Sequence, residues 1–245
     1  MNIEDQAICV LKFNSHHYSN GIAYFYKLNN QTHLIVMLKN IDLEYGQLKG
    51  LHIHECGDIT DGCNSACAHY NPNNSSHGSL NSNVRHYGDL GNAHVDNTGF
   101  SITHISDIPV DIKDIVGRSL VLHEAEDDLG LGRKRYIMSK EKISRTIMKY
   151  LDYSNRQICY HLMDKHQLLS KQLEDNIGKM LTDIRRWNKN KNGLNNLVEK
   201  TLDFINNKVS ESKLTGNSGS RIACGIIGYC KPKDIKSMLI NFKNI

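Results

Sequence analysis

The chain has 245 residues, enough for one large domain or two small ones, and no apolar run near the ~18 residues of a membrane span. The N-terminal MNIEDQAICVLK carries acidic residues and no long apolar stretch, so neither a membrane segment nor a secretory leader is expected, and a cytoplasmic location is. The net charge of +4 is unevenly spread: residues 133–214 carry 18 basic and 9 acidic side chains, and the remainder 12 and 17. A basic segment therefore interrupts an acidic one.

Residues 1–132 read as β. Short apolar runs (AICVL, GIAYFY, HLIVMLKNI, LHIHE, FSITHI, RSLVLHE) are separated by clusters of Asn, Gly, Ser and Asp, a spacing that suits antiparallel strands in a sandwich or barrel. The connection from Cys56 to Asp89 is long and rich in Asn, Ser, Gly and His. A loop of that length without regular structure is functional or disordered, and its histidines favour function.

The period changes at residue 133. Ser139 is placed to cap a helix to about Leu151, with Ile143, Ile147, Met148 and Leu151 on one face. A longer helix is expected over Ile158, Leu162, Leu169, Leu173, Ile177, Leu181 and Ile184, and a third apolar segment over Leu194, Leu197, Val198, Leu202, Ile205 and Val209. TGNSGSRIACGIIGYC then returns to loop and strand. The simplest organisation is an all-β domain, residues 1–132 and 215–245, interrupted by a basic helical insertion at 133–214.

His52 and His54 lie two apart in a strand-like run, so they share one face about 6.5–7 Å apart. His69, His77, His86 and Asp89 follow at spacings of 8, 9 and 3, which lets one loop wrap an ion with three imidazoles and a carboxylate. His123 lies on another strand. Several neutral imidazoles suit copper or zinc, and His with Asp suits zinc. No single spacing separates a ligand from a surface or core histidine.

The assembled motifs are more specific. GLHIHECGD, GCNSACAHYNP, HGSLNSNVRHYGDLGN, GRSLVLHEAEDDLG and GNSGSRIACGIIG occur in that order. Together they closely resemble the copper/zinc superoxide dismutase family, over residues 1–132 and 215–245. The resemblance implies a Greek-key β-barrel of immunoglobulin-like sandwich type. It implies one copper per subunit on His52, His54, His69 and His123, and one zinc per subunit on His69, His77, His86 and Asp89, with His69 bridging. It further implies that Asp127 links His52 to His77, that Arg221 is the active-site arginine, and that Cys63 and Cys224 form a disulfide, against the reduced state expected of cytoplasmic cysteines.

The activity implied is conversion of two superoxide radicals to oxygen and hydrogen peroxide by alternate reduction and oxidation of copper. Zinc lacks a redox step and would be structural. Arg221 would attract the anion, and His69 would carry a proton to the nascent peroxide. The family also implies a homodimer and makes a copper-delivery protein a candidate partner. The alternative is a non-enzymatic metal-binding or partner-binding protein on the same fold.

Several residues depart from the family pattern. Cys56 replaces a residue that often packs at the dimer interface, and Cys67 with Ala68 stands where Gly-Pro often precedes the bridging histidine. Both are expected as separate thiols, with a disulfide or a copper-delivery role as the sharper reading. Tyr229 and the tail 231–245 alter the dimer surface. His16, His17, His33, His94, His104, His161 and His166 match no ligand position. The insertion falls in the loop that guides superoxide in the family. It reads first as a tolerated expansion, then as a basic aid to anion steering, then as a docking surface. Its basic residues are scattered around a single tryptophan, Trp187, so a nucleic-acid partner is not expected.

Overall fold

A computed structural model describes residues 5–14, 20–44, 46–132, 207, 209–231, 234 and 242. The chain divides into two compact units, Met1–Gly130 with Leu214–Ile245, and Leu131–Lys213. The helices expected between 139 and about 206 lie outside the described residues, while residues 209–215 are helical.

Nine strands are described: β1 (Gln6–Phe13), β2 (Asn20–Leu28), β3 (Gln31–Lys39), β4 (Leu48–His54), β5 (Asp89–His94), β6 (Ser101–Ile108), β7 (Ser119–His123), β8 (Arg221–Ile226) and β9 (Gly228–Tyr229). Their order is β5-β4-β7-β8-β1-β2-β3-β6, with β9 on β1, and every pairing is antiparallel. The His94 N–H on β5 donates to Thr103 Oγ1 on β6 at 3.1 Å, which links the two ends of the path and nearly closes an all-β barrel. The strand β8, which follows the second unit in sequence, sits between β7 and β1.

Strand alternation explains where the core and the polar cluster lie. Cys9 and Leu11 on β1, Phe25 on β2, Val36 and Leu38 on β3, Leu51 and Ile53 on β4, and Leu120 and Leu122 on β7 are buried in one core. The residues between them face the other way. On β4 these are His52 and His54, and on β7 Val121 and His123. The histidines therefore stand on the outer side of the wall, yet they are 0–4% exposed. The segment after β4, with residues 124–130 and 214–220 after β7, folds over that face to bury them.

Two register shifts occur here. One lies between Gly50 and His52 against β5 and pairs His52 with Asp89; the other lies between Leu122 and His123 against β8 and pairs His123 with Arg221. A bulge re-aims a side chain without breaking the strand, and both bulges do so at the polar cluster. A second apolar cluster on the barrel exterior packs Tyr24, Tyr26, Ile35 and Met37 against Phe242 of the tail.

Two disulfides brace the segment after β4. Cys63, in the short 3-10 turn Gly62–Ala66, bonds Cys224 on β8 with Cα atoms 5.6 Å apart. Cys56 and Cys67 are not separate thiols: they form a second disulfide with Cα atoms 5.5 Å apart. The reason is local backbone pairing. His54 and His69 form an antiparallel bridge, Glu55 N–H donates to Ala68 O at 2.9 Å, and Cys56 N–H to Ala66 O at 3.1 Å. That pairing brings the two cysteines within the Cα range of about 4.4–6.8 Å that a disulfide needs.

Gly225 on β8 has no room for a side chain. A Cβ there would overlap Val10 O and lie 2.8 Å from Cys9 Sγ. Gly225→Ala should destabilise the metal-free protein by about 1–3 kcal/mol through overpacking between β8 and β1. Urea unfolding measures this, and an unchanged midpoint would contradict the close approach.

Candidate metal centre

Seven buried side chains converge on the outer face of β4 and β7. The donor atoms of six of them form two groups, each within 4.8 Å: His52, His54, His69 and His123, and His52, His69, His77 and Asp89. His52 and His69 belong to both, and because Asp127 takes His52 Nε2, His69 is the ring with a nitrogen free for each. An imidazole has two distinct ring nitrogens, so one residue can serve two sites at once.

The hydrogen bonds fix which nitrogen of each ring faces the shared space. His52 Nε2 donates to Asp127 Oδ2 at 2.9 Å and His77 Nε2 to Asp127 Oδ1 at 2.8 Å. His54 Nδ1 donates to Cys67 O at 3.0 Å, and His123 Nδ1 to Gly219 O at 3.1 Å. The opposite nitrogens of three rings, His52 Nδ1, His54 Nε2 and His123 Nε2, are buried without a hydrogen-bond partner, while His77 Nδ1 faces the Asp89 carboxylate. The rings of His52, His54 and His123 are thus each held by one N–H while the other nitrogen presents a lone pair, the arrangement in which a histidine binds a metal.

Around Asp89 the spacing itself is informative. Asp89 Oδ1 lies 3.0 Å from His69 Nδ1, 2.9 Å from His77 Nδ1 and 3.2 Å from His86 Nδ1. His69 Nδ1 and His86 Nδ1 are 3.3 Å apart. Ligand atoms about 2.0–2.1 Å from a tetrahedral ion stand about 3.3 Å from one another. His86, absent from the tighter group, joins the cluster through Asp89 and His69. Asp89 Oδ2 is held by the N–H groups of Gly78, at 3.1 Å, and His86, at 2.8 Å. The residues present therefore fit a four-coordinate zinc and an adjoining set of imidazoles suited to copper.

Protonation follows from burial and neighbouring carboxylates. Burial, reinforced by the neighbouring imidazoles, pushes His52 and His54 far down. Burial also lowers His69, despite the Asp89 carboxylate, and brings His123 down to about 4. These rings are neutral at pH 7, as ligands must be. Burial opposes protonation of His77 too, but the carboxylates of Asp127 and Asp89 outweigh it and raise the pKa to about 9. Burial pushes Asp89 up, and the histidines His69, His77 and His86 more than reverse that, holding the carboxyl far below the usual range.

Arg221 is half-buried on β8. Its Nη1 donates to Cys63 O at 2.7 Å and Asn64 O at 3.4 Å, and its Nη2 to Cys67 O at 2.6 Å. Its charge is close enough to add to the lowering of both His54 and His123. Every residue given a site role by the family resemblance, Asp127 and the Cys63–Cys224 pair included, thus comes to this one region. Others were not foreseen. Asn92 on β5 clamps the Asp127 backbone, donating to its carbonyl at 2.9 Å and accepting its N–H at 2.7 Å. Gly216, at φ +72°, passes so close that a Cβ would overlap Asp127 Oδ1 and lie 2.5 Å from His77 Nε2. A glycine in TGNSGS was visible, but nothing local marked it as packing on Asp127.

These shifts set a pH dependence for the metal-free protein. The unfolded chain titrates its imidazoles near 6.5, above the folded values of His52, His54, His69 and His123. As pH falls below 6.5 the unfolded state takes up protons first, and stability drops until the folded groups titrate. His77 acts in the opposite sense: its contribution is complete below 6.5 and is lost as pH rises towards about 9. The urea midpoint of metal-free protein should therefore peak near about pH 6.5, with the steeper decline on the acid side. A flat profile between about pH 5 and 9 would contradict these protonation states.

Comparison with known proteins accords with this geometry. The family model for copper/zinc superoxide dismutase matches residues 19–145, just over half of the chain. A copper chaperone for superoxide dismutase from Homo sapiens is 44% identical over 113 residues, covering 46% of this chain and 40% of the chaperone. Superoxide dismutase [Cu-Zn] 5 of Dictyostelium discoideum is 41% identical over 132 residues, 53% of this chain and 84% of that protein. A superoxide dismutase [Cu-Zn] from Schizosaccharomyces pombe is 36% identical over 130 residues, 52% of this chain and 83% of its own length. The chain thus spans less than half the length of the chaperone relatives and most of the length of these two dismutases. A barrel of this topology, two adjoining groups of metal-competent residues and the family match lead to one conclusion: the chain belongs to the copper/zinc superoxide dismutase family.

Proposed function

We propose that this protein is an active superoxide dismutase, converting two superoxide anions and two protons to oxygen and hydrogen peroxide. The observation that carries the reading is the set of unpartnered imidazole nitrogens beside a tethered arginine. His52, His54, His69 and His123 would hold copper, and His69, His77, His86 and Asp89 would hold zinc. Copper supplies the one-electron redox couple when bound. Arg221 supplies a fixed positive charge and N–H donors, which attract and orient a small anion. Two backbone carbonyls, of Cys63 and Cys67, keep the guanidinium from wandering. His69, whose Nδ1 faces Asp89, would take up a proton at its other ring nitrogen and pass it to the reduced product. Asp127 binds no substrate; it sets the tautomers of His52 and His77.

The chaperone relatives favour a second reading, a copper-binding protein that acts through a partner instead of turning over superoxide. Metal content measured together with superoxide consumption separates the two: a copper- and zinc-loaded but inactive protein supports the second. A homodimer belongs to the proposal as well. Ile226 and Tyr229, 46% and 62% exposed, offer apolar surface for it, and sedimentation velocity tests it.

His123→Ala should abolish copper binding and leave zinc bound, because His123 belongs only to the first group. Full copper retention in metal analysis would refute that assignment. Arg221→Ala should keep both metals, lower the rate by roughly tenfold or more, and flatten its dependence on ionic strength. Unchanged turnover by pulse radiolysis would sink the anion-guiding role.

A further inference from the structure

Cys67 adopts a backbone conformation that its residue type disfavours. Its φ is 67° and its ψ −152°, a region occupied essentially by glycine alone. The same residue is a junction of the site: its carbonyl accepts from His54 Nδ1 and from Arg221 Nη2. Its side chain is bonded to Cys56, and Cys56 is itself pinned. The Cys56 N–H donates to Ala66 O, and its carbonyl accepts from Ser119 Oγ on β7 at 2.7 Å. The cross-link therefore ties a strained peptide to the frame of β4 and β7.

We propose that the Cys56–Cys67 disulfide is a positioning element for Arg221. It holds residue 67 in a glycine-only conformation, so that the Cys67 carbonyl fixes one guanidinium nitrogen while those of Cys63 and Asn64 fix the other. The inference rests on the dismutase reading, in which Arg221 guides the anion. Where the family pattern places glycine before the bridging histidine, the conformation needs no brace. In this chain a side chain and its brace occur together, and neither is accounted for by Cys63–Cys224.

Removing the bond should leave Arg221 held at Nη1 and loosened at Nη2. Phenylglyoxal, which modifies accessible guanidinium groups, reads this without copper or superoxide. The adduct at Arg221 is counted by peptide mass in wild type, Cys56→Ala, Cys56→Ala/Cys67→Ala and Cys56→Ala/Cys67→Gly. Arg85, whose Nη1 donates to Asp89 O, serves as the internal reference. Cys56→Ala and the double alanine variant should raise Arg221 modification by about tenfold, the effect of losing one charge-assisted hydrogen bond, with Arg85 unchanged. The glycine variant should return to the wild-type rate, because glycine takes the conformation without a brace.

Equal modification in wild type and Cys56→Ala overturns the proposal. So does a rise shared by Arg85, which signals general loosening, or a glycine variant that fails to rescue. If Cys56→Ala does not fold, wild type is treated with a water-soluble phosphine. Cys67 is exposed whereas Cys63 and Cys224 are 2% and 3% exposed, so the outer disulfide opens first and the same adduct is counted. The two readings fail separately. Disulfide-dependent protection of Arg221 in an inactive protein rejects the dismutase reading alone; an active protein without such protection rejects this one alone.

Discussion

A buried ring nitrogen with no hydrogen-bond partner costs about 1–3 kcal/mol, and this protein gathers three of them, on His52, His54 and His123, around His69. The arrangement is coherent only if something other than a hydrogen-bond donor accepts their lone pairs. Nothing in the surroundings relaxes the constraint. Each ring is fixed from behind by an acceptor, Asp127 for His52, the Cys67 carbonyl for His54 and the Gly219 carbonyl for His123. The acceptors determine the tautomers, the tautomers direct the lone pairs, and the lone pairs define where a cation would fit. The negative charge of Asp89 adds a bias within that cluster, towards the side where zinc is proposed.

The barrel makes this affordable in packing terms. Alternation along β4 and β7 sends leucine and isoleucine into one core while placing histidines on the opposite face. The metal-competent residues therefore displace no apolar packing. The cost is a second layer, because a face of buried imidazoles has to be covered. The excursion after β4, and residues 124–130 and 214–220 after β7, supply that cover, and each also contributes to the site: His69, His77 and His86 from one, Asp127 and Gly219 from the other. The bulges at Gly50/His52 and Leu122/His123 adjust the wall so that Asp89 and Arg221 arrive opposite their histidines.

Much of this could be read from the amino acids. The H-x-H spacing is meaningful because strand geometry is local, and the apolar runs mark the strands that carry core residues. What escaped depends on contacts across the fold. β5 was missed because DLGNAH has weak strand propensity, with Gly91 and Asn92 at its centre; it is a strand because β4 pairs with it. Asn92 reads as a turn residue, and its clamp on Asp127 spans 35 positions in sequence. The Cys56–Cys67 bond was underestimated because its geometry comes from the His54–His69 bridge, which no short-range pattern reveals. The register shifts were equally hidden, since a bulge is a property of two strands and a sequence shows one at a time.

The position of β8 also has a consequence for the order in which the molecule can be made. β8 pairs with both β7 and β1, yet it follows the whole second unit in the chain. At synthesis rates of about 5–20 residues per second, roughly 5–20 s separate the emergence of His123 from that of Arg221. During that interval every residue of the two metal-competent groups is already available, while the sheet between β7 and β1 still lacks its middle strand and Cys63 has no partner. The chain therefore passes through a stage on the ribosome in which every side chain of the two groups exists and the guanidinium beside them does not.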